Sequence, residues 1–132
     1  MSQFEVVREV GLSAEEAFAR VTDWARHGEH VPLTEVTPFP GGFVARTGIG
    51  PLAFDDPMEV TVWDPPRHCR IEKRGRVVTG WAEIDVEPLD IGCRVVWREV
   101  AHTTGVPAAF GRVEAAAGQA LFSRVLDRLL RT

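Results

Sequence analysis

The sequence predicts an α+β fold in which seven antiparallel strands form one sheet that packs against a long C-terminal helix. Three observations lead to this prediction. One strand-like segment precedes two short helical segments, six extended segments fill the middle of the chain, and the C-terminal segment has the period of an amphipathic helix. Strands that follow one another through short turns form an antiparallel meander, so the predicted order is β-α-α-β6-α.

Local signals indicate the first strand and the two short helices. Residues 4–10 are enriched in β-branched side chains, as strands are. Ser13 and Glu16 have the spacing of a capping box, which marks the first turn of a helix. Asp23 and Trp24 begin a second short helix, and we expect Gly28 to end it.

The six extended segments are bounded by turn residues. Each boundary carries Gly, Pro or Asp, which fix or permit the backbone angles that turns require. The predicted strands are residues 33–37, 42–49, 53–63, 67–74, 77–87 and 92–102.

The C-terminal helix is predicted over residues 111–131. Its apolar stripe consists of Val113, Ala117, Ala120, Leu121, Val125, Leu126 and Leu129. Side chains are small in its first half, whereas the second half is rich in leucine. We therefore expect a gap beside residues 115–118, with residues 121–129 closing the other end.

Length and composition exclude several classes of protein. The 132 residues are expected to form one domain, 1–132. Scattered basic residues and a net charge of -4 argue against a nucleic-acid partner. No segment approaches the roughly 20 apolar residues of a membrane span, and the first residues lack the pattern of a secretion signal, so we expect a cytoplasmic protein.

Two local motifs and the element order resemble a known family. The segment from Ser13 to Trp24, Ser-Ala-Glu-Glu-Ala-Phe-Ala-Arg-Val-Thr-Asp-Trp, is similar to the opening of bacterial SRPBCC proteins. Val62-Trp-Asp-Pro-Pro-Arg67 resembles a strand turn that recurs in them. The whole layout resembles their START-like, or birch-pollen-allergen-like, helix-grip fold. This resemblance implies a curved sheet around the C-terminal helix, with a hollow that relatives use for sterols, phospholipids, plant hormones or polyketide chains.

Alternation along the strands assigns side chains to two faces of the sheet. Arginines such as Arg94 and Arg98 mark the outer face, whereas the opposite parity is mostly apolar. The same alternation places Val62 inside and Trp63 outside. Trp81 also falls on the outer face, but a bulge at Gly80 could turn it inward, so both orientations stay open.

The inward-facing residues of the strands and the apolar stripe of the helix predict a cavity for a small apolar molecule. The residues predicted to line it are Phe43, Thr47, Met58, Val60, Ile71, Trp81, Val95, Trp97, Glu99, Val113, Ala117 and Leu121. We expect its walls to consist mainly of Val95, Trp97, Ile71, Val60 and Phe43.

Few polar residues are candidates for chemistry. Glu99 falls among apolar inner residues, so it needs a partner such as Lys73 or Arg46, or lies near water at the strand end. Thr47 and Lys73 share the inner parity and could orient a polar end of the ligand. Cys69 and Cys93 are expected to be reduced, because two strand spacings exceed disulfide reach.

The sequence predicts neither a metal nor a cofactor. His27 and His30 form an HxxH just after the second predicted helix, but no third ligand is near in the sequence. Motifs of covalent catalysis and phosphate-binding loops are also missing from the sequence.

Three functions are compatible with these features. The favoured function is binding of a small hydrophobic ligand, such as a lipid, a sterol or a polyketide-like molecule. The first alternative is a polyketide cyclase, aromatase or dehydratase that uses the same cavity, with Glu99 as the single acid or base. The second is a protein-interaction module, for which an exposed Trp63 or Trp81, or a homodimer, would be the sign.

Overall fold

A computed structural model describes residues 2–131 of the chain. The strands are β1 (Ser2–Val10), β2 (Thr34–Phe39), β3 (Gly42–Thr47), β4 (Phe54–Asp64), β5 (His68–Arg74), β6 (Val78–Pro88) and β7 (Cys93–Thr103). The helices are α1 (Ala14–Val21), α2 (Trp24–His30) and α3 (Gly111–Leu129), with short 3₁₀ turns at Gly50–Leu52 and Ala108–Phe110. The predicted order β-α-α-β6-α is confirmed.

The seven strands form one curved antiparallel sheet in the order β1-β7-β6-β5-β4-β3-β2. Strands β2 to β7 pair with their sequence neighbours, as expected of a meander. The last strand, β7, also pairs with the first strand, β1. The helix-grip fold is therefore confirmed. None of the helices in the described range is long and apolar enough to cross a bilayer.

The core lies between the inner face of the sheet and the three helices. At its centre Trp97 of β7 is paired with Val6 of β1 and Ile84 of β6. Helix α1 adds Phe18, and its first turn is capped by Ser13, whose Oγ accepts a hydrogen bond of 3.1 Å from the Glu16 N–H. The predicted cap is confirmed.

Helix α3 is rotated relative to the predicted apolar stripe. Val113 is 65% exposed, and Ala117 and Ala120 are also exposed. The front of the helix instead turns Gly118 towards β1, where an added Cβ would lie 2.6 Å from the Phe4 ring. The predicted gap beside residues 115–118 is therefore wrong, because the small side chains let the helix approach the sheet closely.

A β-bulge in β4 reverses the predicted orientation of two residues. The pairing with β5 shifts between Val60 and Val62, so Thr61 is an extra residue in β4. Beyond it, Trp63 pairs with Cys69 of the inner face and contacts Phe18 edge to face, with ring centroids 5.2 Å apart. The prediction that Val62 lies inside and Trp63 outside was wrong, since alternation is interrupted at a bulge.

Helix α2 continues through the glycine that was expected to end it. It extends to His30, so His27 and His30 lie within the helix and not after it. Since α2 packs against β2, tertiary contacts outweigh the low helix propensity of Gly28.

The outer face of the sheet holds Trp81. Pairing through Gly80 is regular on both sides, so there is no bulge in β6, and Trp81 lies opposite Glu72 and Val100. The guanidinium of Arg70 covers its ring at 4.6 Å. Trp81 is therefore not re-aimed inward.

Gly80 provides a test of this geometry. Its φ of +135° is unfavourable for other residues, and an added Cβ would collide with the carbonyl oxygen of Val100. We expect Gly80→Ala to lower the free energy of unfolding by about 2 kcal/mol or more, measured by urea denaturation. Gly11→Ala is the control, because nothing lies within 4 Å of a Cβ there. Equal effects of the two substitutions would contradict the described backbone at Gly80.

Candidate functional site

A cavity of about 240 Å³ lies between the inner face of the sheet, the end of α2 and the middle of α3. Its lining is mostly apolar, with a small group of charged side chains. The lining residues are His27, Val31, Thr34, Val36, Phe43, Ala45, Thr47, Asp56, Met58, Ile71, Lys73, Ala82, Trp97, Glu99, Leu121 and Phe122.

Seven of the residues predicted from strand parity and the helix stripe are brought together in this lining. They are Phe43, Thr47, Met58, Ile71, Trp97, Glu99 and Leu121. Four strands and α3 supply them, so the fold joins positions that are far apart in the sequence. A role in ligand binding stays a prediction for each of them.

The other five predicted residues lie outside the cavity. Val95 is fully buried in the core below α1 and α3, and Val60 is half-buried beyond the lining. Trp81 lies on the outer face of the sheet, while Val113 and Ala117 are on the exposed side of α3. The rotation of α3 and the regular pairing of β6 explain the last three differences.

Several lining residues were missed or only partly anticipated. Asp56 precedes Met58 by two positions, so the alternation of β4 already placed it on the inner face. Lys73 had the inner parity and was considered only as an orienting group. Val31 had no sequence signal; it follows α2 and borders both the cavity and two neighbouring surface grooves.

Aromatic rings form much of the wall. Trp97 stacks on Phe122 with centroids 5.0 Å apart, and the His27 ring lies 5.6 Å from Trp97. On the other side Trp24 stacks on Phe43 at 4.8 Å. Stacked rings hold flat walls in place, and such walls suit a planar ligand.

A polar trio of Asp56, Lys73 and Glu99 lies in the same cavity. Lys73 Nζ donates to Asp56 Oδ2 at 3.2 Å, and Trp97 Nε1 donates to Glu99 Oε1 at 3.2 Å. Glu99 does not form the expected ion pair with Lys73 or Arg46. Lys73 pairs with Asp56, and Arg46 pairs with Asp55 on the exposed side. Glu99 is also not at an open strand end, since it is only 5% exposed.

The trio contains one ammonium and two carboxyl groups. Burial raises the pKa of Glu99, while Lys73 and the Trp97 hydrogen bond oppose this shift and the Asp56 charge adds to it. Burial also raises the pKa of Asp56, against the attraction of Lys73. Carboxyls with raised pKa values in a cavity are candidates for proton transfer. Glu99 is thus not the single acidic group available.

His27 is held as a neutral ring. Its Nε2 donates to the Val21 carbonyl at 2.7 Å, and burial lowers its pKa to about 4. The ring therefore contributes an uncharged wall to the cavity, and its Nε2 is already used in a hydrogen bond.

Another cluster of titratable side chains lies on the outer face of the sheet. His68 Nδ1 is 2.8 Å from Asp85 Oδ1, and its Nε2 is 3.7 Å from Glu83. The remaining carboxylate oxygens bind arginines, at 2.6 Å from Glu83 to Arg70 and 3.0 Å from Asp85 to Arg98. This arrangement is that of a surface ion network.

The two cysteines are buried and free, as expected. Burial raises the pKa of Cys69 to about 12 and also raises the pKa of Cys93. The thiols are protonated at neutral pH, so neither acts as a ready nucleophile.

Comparison with protein families identifies the group to which this chain belongs. The family model described as "Polyketide cyclase / dehydrase and lipid transport" matches residues 1–132. The chain belongs to this family. Membership agrees with the resemblance to SRPBCC proteins noted from the two motifs. A search of curated proteins gave no match.

Solved structures share the fold of this family member. A conserved protein from Geobacillus kaustophilus has a TM-score of 0.79 at 20% identity, covering 99% of this chain and 93% of the other. A START superfamily protein from Mycobacterium smegmatis has a TM-score of 0.78 at 13% identity, covering 98% and 97%. The di-domain ARO/CYC StfQ of the steffimycin biosynthetic pathway has a TM-score of 0.73 at 14% identity, covering 98% and 49%. At these identities the likeness shows the fold alone.

The neutral state of His27 predicts a pH-dependent stability. Its pKa is about 4 in the folded protein and about 6.5 in the unfolded chain. Unfolding therefore takes up a proton at pH values between about 4 and 6.5. His27 therefore stabilises the fold above pH ~6.5, and this contribution is lost as the pH falls, by up to about 1.4 kcal/mol per pH unit.

We expect His27→Gln to remove this part of the pH dependence, measured as the unfolding free energy of wild type minus variant from pH 7 to 4. The subtraction is needed because Asp56 and Glu99 have raised pKa values, so their contributions to the unfolding free energy increase as the pH falls, opposite to that of His27. The same exchange at the exposed His102, His102→Gln, is the control for replacing an imidazole outside the core. A flat curve for His27→Gln would mean that His27 is not buried as described.

Proposed function

We propose that this protein binds a small, largely aromatic molecule in the cavity between the sheet and α3. The observation that carries the proposal is a partly enclosed space lined by stacked rings and a few buried polar groups, which is the usual make-up of small-molecule sites. Membership in a family of cyclases, dehydrases and lipid-transport proteins supports hydrophobic ligand binding in general.

The size of the cavity narrows the class of ligand. Its volume of about 240 Å³ is below the range of roughly 300–1,000 Å³ that is common for drug-sized ligands. We therefore favour a molecule of one to two fused rings over a sterol or a phospholipid, which were also compatible with the sequence.

Filling the cavity should block binding. Ala45 is buried, lines the cavity and lies opposite Asp56 across β3 and β4. We expect Ala45→Leu to place its added carbons in the empty space and to weaken binding of naphthalene-sized aromatics by roughly tenfold or more. Isothermal titration calorimetry, with a thermal-shift screen beforehand, measures the effect.

Ala117→Leu is the matched control for this experiment. The exchange is the same, but Ala117 is exposed on α3 and outside the cavity. Its ligand affinity should equal that of the wild type. If no small aromatic binds to the wild type, or if both variants bind equally well, the proposed site is wrong.

Acid–base catalysis in the same cavity is the second candidate function. The observation that favours it is the polar trio, in which burial raises the pKa of both Asp56 and Glu99 beside a single ammonium. Two carboxyls of this kind can assist the proton transfers of ring closure or dehydration. A cyclase or dehydratase activity is therefore a specific alternative to simple binding.

Turnover by a Glu99→Gln variant tests this candidate. The amide keeps the size of the side chain but cannot transfer a proton, so we expect a loss of roughly 10² to 10⁴-fold in kcat. The assay follows cyclisation of aromatic-polyketide precursor analogues by absorbance. Glu59→Gln is the control, since Glu59 is exposed and pairs with Arg74 on the outer face. Unchanged turnover by Glu99→Gln would exclude Glu99 as the acid or base.

The interaction function has weaker support. Trp81 is covered by Arg70, and Trp63 packs its edge on Phe18 although it is 53% exposed. Neither ring forms a free patch of the kind that was expected to mark an interface.

A further inference from the structure

One oxygen atom in the polar trio is fully buried and has no hydrogen-bond partner among the described residues. Asp56 is 8% exposed, and its ion pair with Lys73 uses Oδ2 only. Its other oxygen, Oδ1, is buried and accepts no hydrogen bond from any described residue. Buried acceptors without a donor are rare in folded proteins, because the lost hydration is not replaced. Asp56 lines the cavity, so a bound molecule is the candidate source of the missing donor.

Geometry distinguishes the two carboxyl groups. Lys73 Nζ lies 3.2 Å from Asp56 Oδ2, whereas the hydrogen bond found for Glu99 comes from the neutral indole of Trp97. Direct contact with an ammonium favours the ionised form of Asp56, whereas Glu99 has no ion pair among the described residues. Asp56 Oδ1 is therefore an acceptor and not a donor.

The charge of the cavity follows from this assignment. Lys73 is almost fully buried and its charge is balanced by Asp56. His27 is neutral, and none of the other lining residues is a cation. An anionic ligand would thus meet one carboxylate and no unbalanced positive charge, which disfavours its burial.

We propose that the ligand is an uncharged ring compound whose hydroxyl or N–H group donates a hydrogen bond to Oδ1 of Asp56. Its rings lie between the stacked walls of Trp97 and Phe43. The inference rests on the proposed binding function, and it selects neutral donors against both carboxylates and ligands that only accept hydrogen bonds.

Three matched probes test this selectivity on the wild-type protein. They are 2-naphthol, which donates, 2-methoxynaphthalene, which only accepts, and 2-naphthoate, which is an anion at pH 7.5. We expect 2-naphthol to bind at least about tenfold more tightly than either of the others, because a hydrogen bond to a buried carboxylate is among the stronger ones. Calorimetric titration gives the three dissociation constants.

Variants at two adjacent aspartates locate the donor site. Asp56→Ala removes the acceptor, and we expect its affinities for 2-naphthol and 2-methoxynaphthalene to agree within about threefold. Asp55→Ala is the control, because Asp55 is exposed and pairs with Arg46 at 3.0 Å on the opposite face of β4. The control should keep the full preference of the wild type.

The outcomes separate this inference from the function on which it rests. Equal wild-type binding of the hydroxyl and methoxy probes, or tighter binding of the naphthoate, would overturn the donor preference and leave ligand binding intact. Failure of all three probes to bind would overturn both. Because the probe comparison uses the wild type, the test remains decisive even if Asp56→Ala fails to fold.

Discussion

The width of the sheet is the constraint from which the site arises. Seven strands spaced about 4.8 Å apart span roughly 29 Å, whereas a helix with its side chains is about 10–12 Å wide. Helix α3 packs on β1, where Gly118 meets Phe4, and α2 packs on β2 at the opposite edge. Between these supports α1 packs on β6 and β7, and over the cavity the middle strands face Leu121, Phe122 and the end of α2. A gap in this position is a result of sheet geometry and needs no special cavity-forming sequence.

What distinguishes this gap from a packing defect is its polar content. An empty space in a core is normally apolar, and burying an ion pair seldom stabilises a protein more than well-packed hydrophobic residues do. Here Lys73 and Asp56 pair beside Glu99 in the lining of the cavity. Stability alone does not account for Asp56, Lys73 and Glu99 on one apolar face. The proposed recognition of a ligand, or acid–base catalysis, would account for them.

Period and parity predicted the fold and about half of the lining, because they depend only on local backbone geometry. Phe43, Ile71 and Trp97 lie where alternation placed them. Prediction failed where the outcome depended on distant contacts. One extra residue, Thr61, reverses the end of β4 and has no strong sequence signature. The rotation of α3 agrees with an ion pair between Asp127 and Arg8, 119 residues away, which no helical pattern contains.

Val31 gives the cavity a defined relation to the surface. It directly follows the seven residues of α2 and lines both the cavity and two surface grooves beside that helix. Under the proposed binding function, a route from either groove into the cavity would pass this valine and leave the hydrogen-bonded sheet unchanged. The rates of uptake and release would then be set at the end of α2, whereas the equilibrium affinity would be set by the residues of the interior.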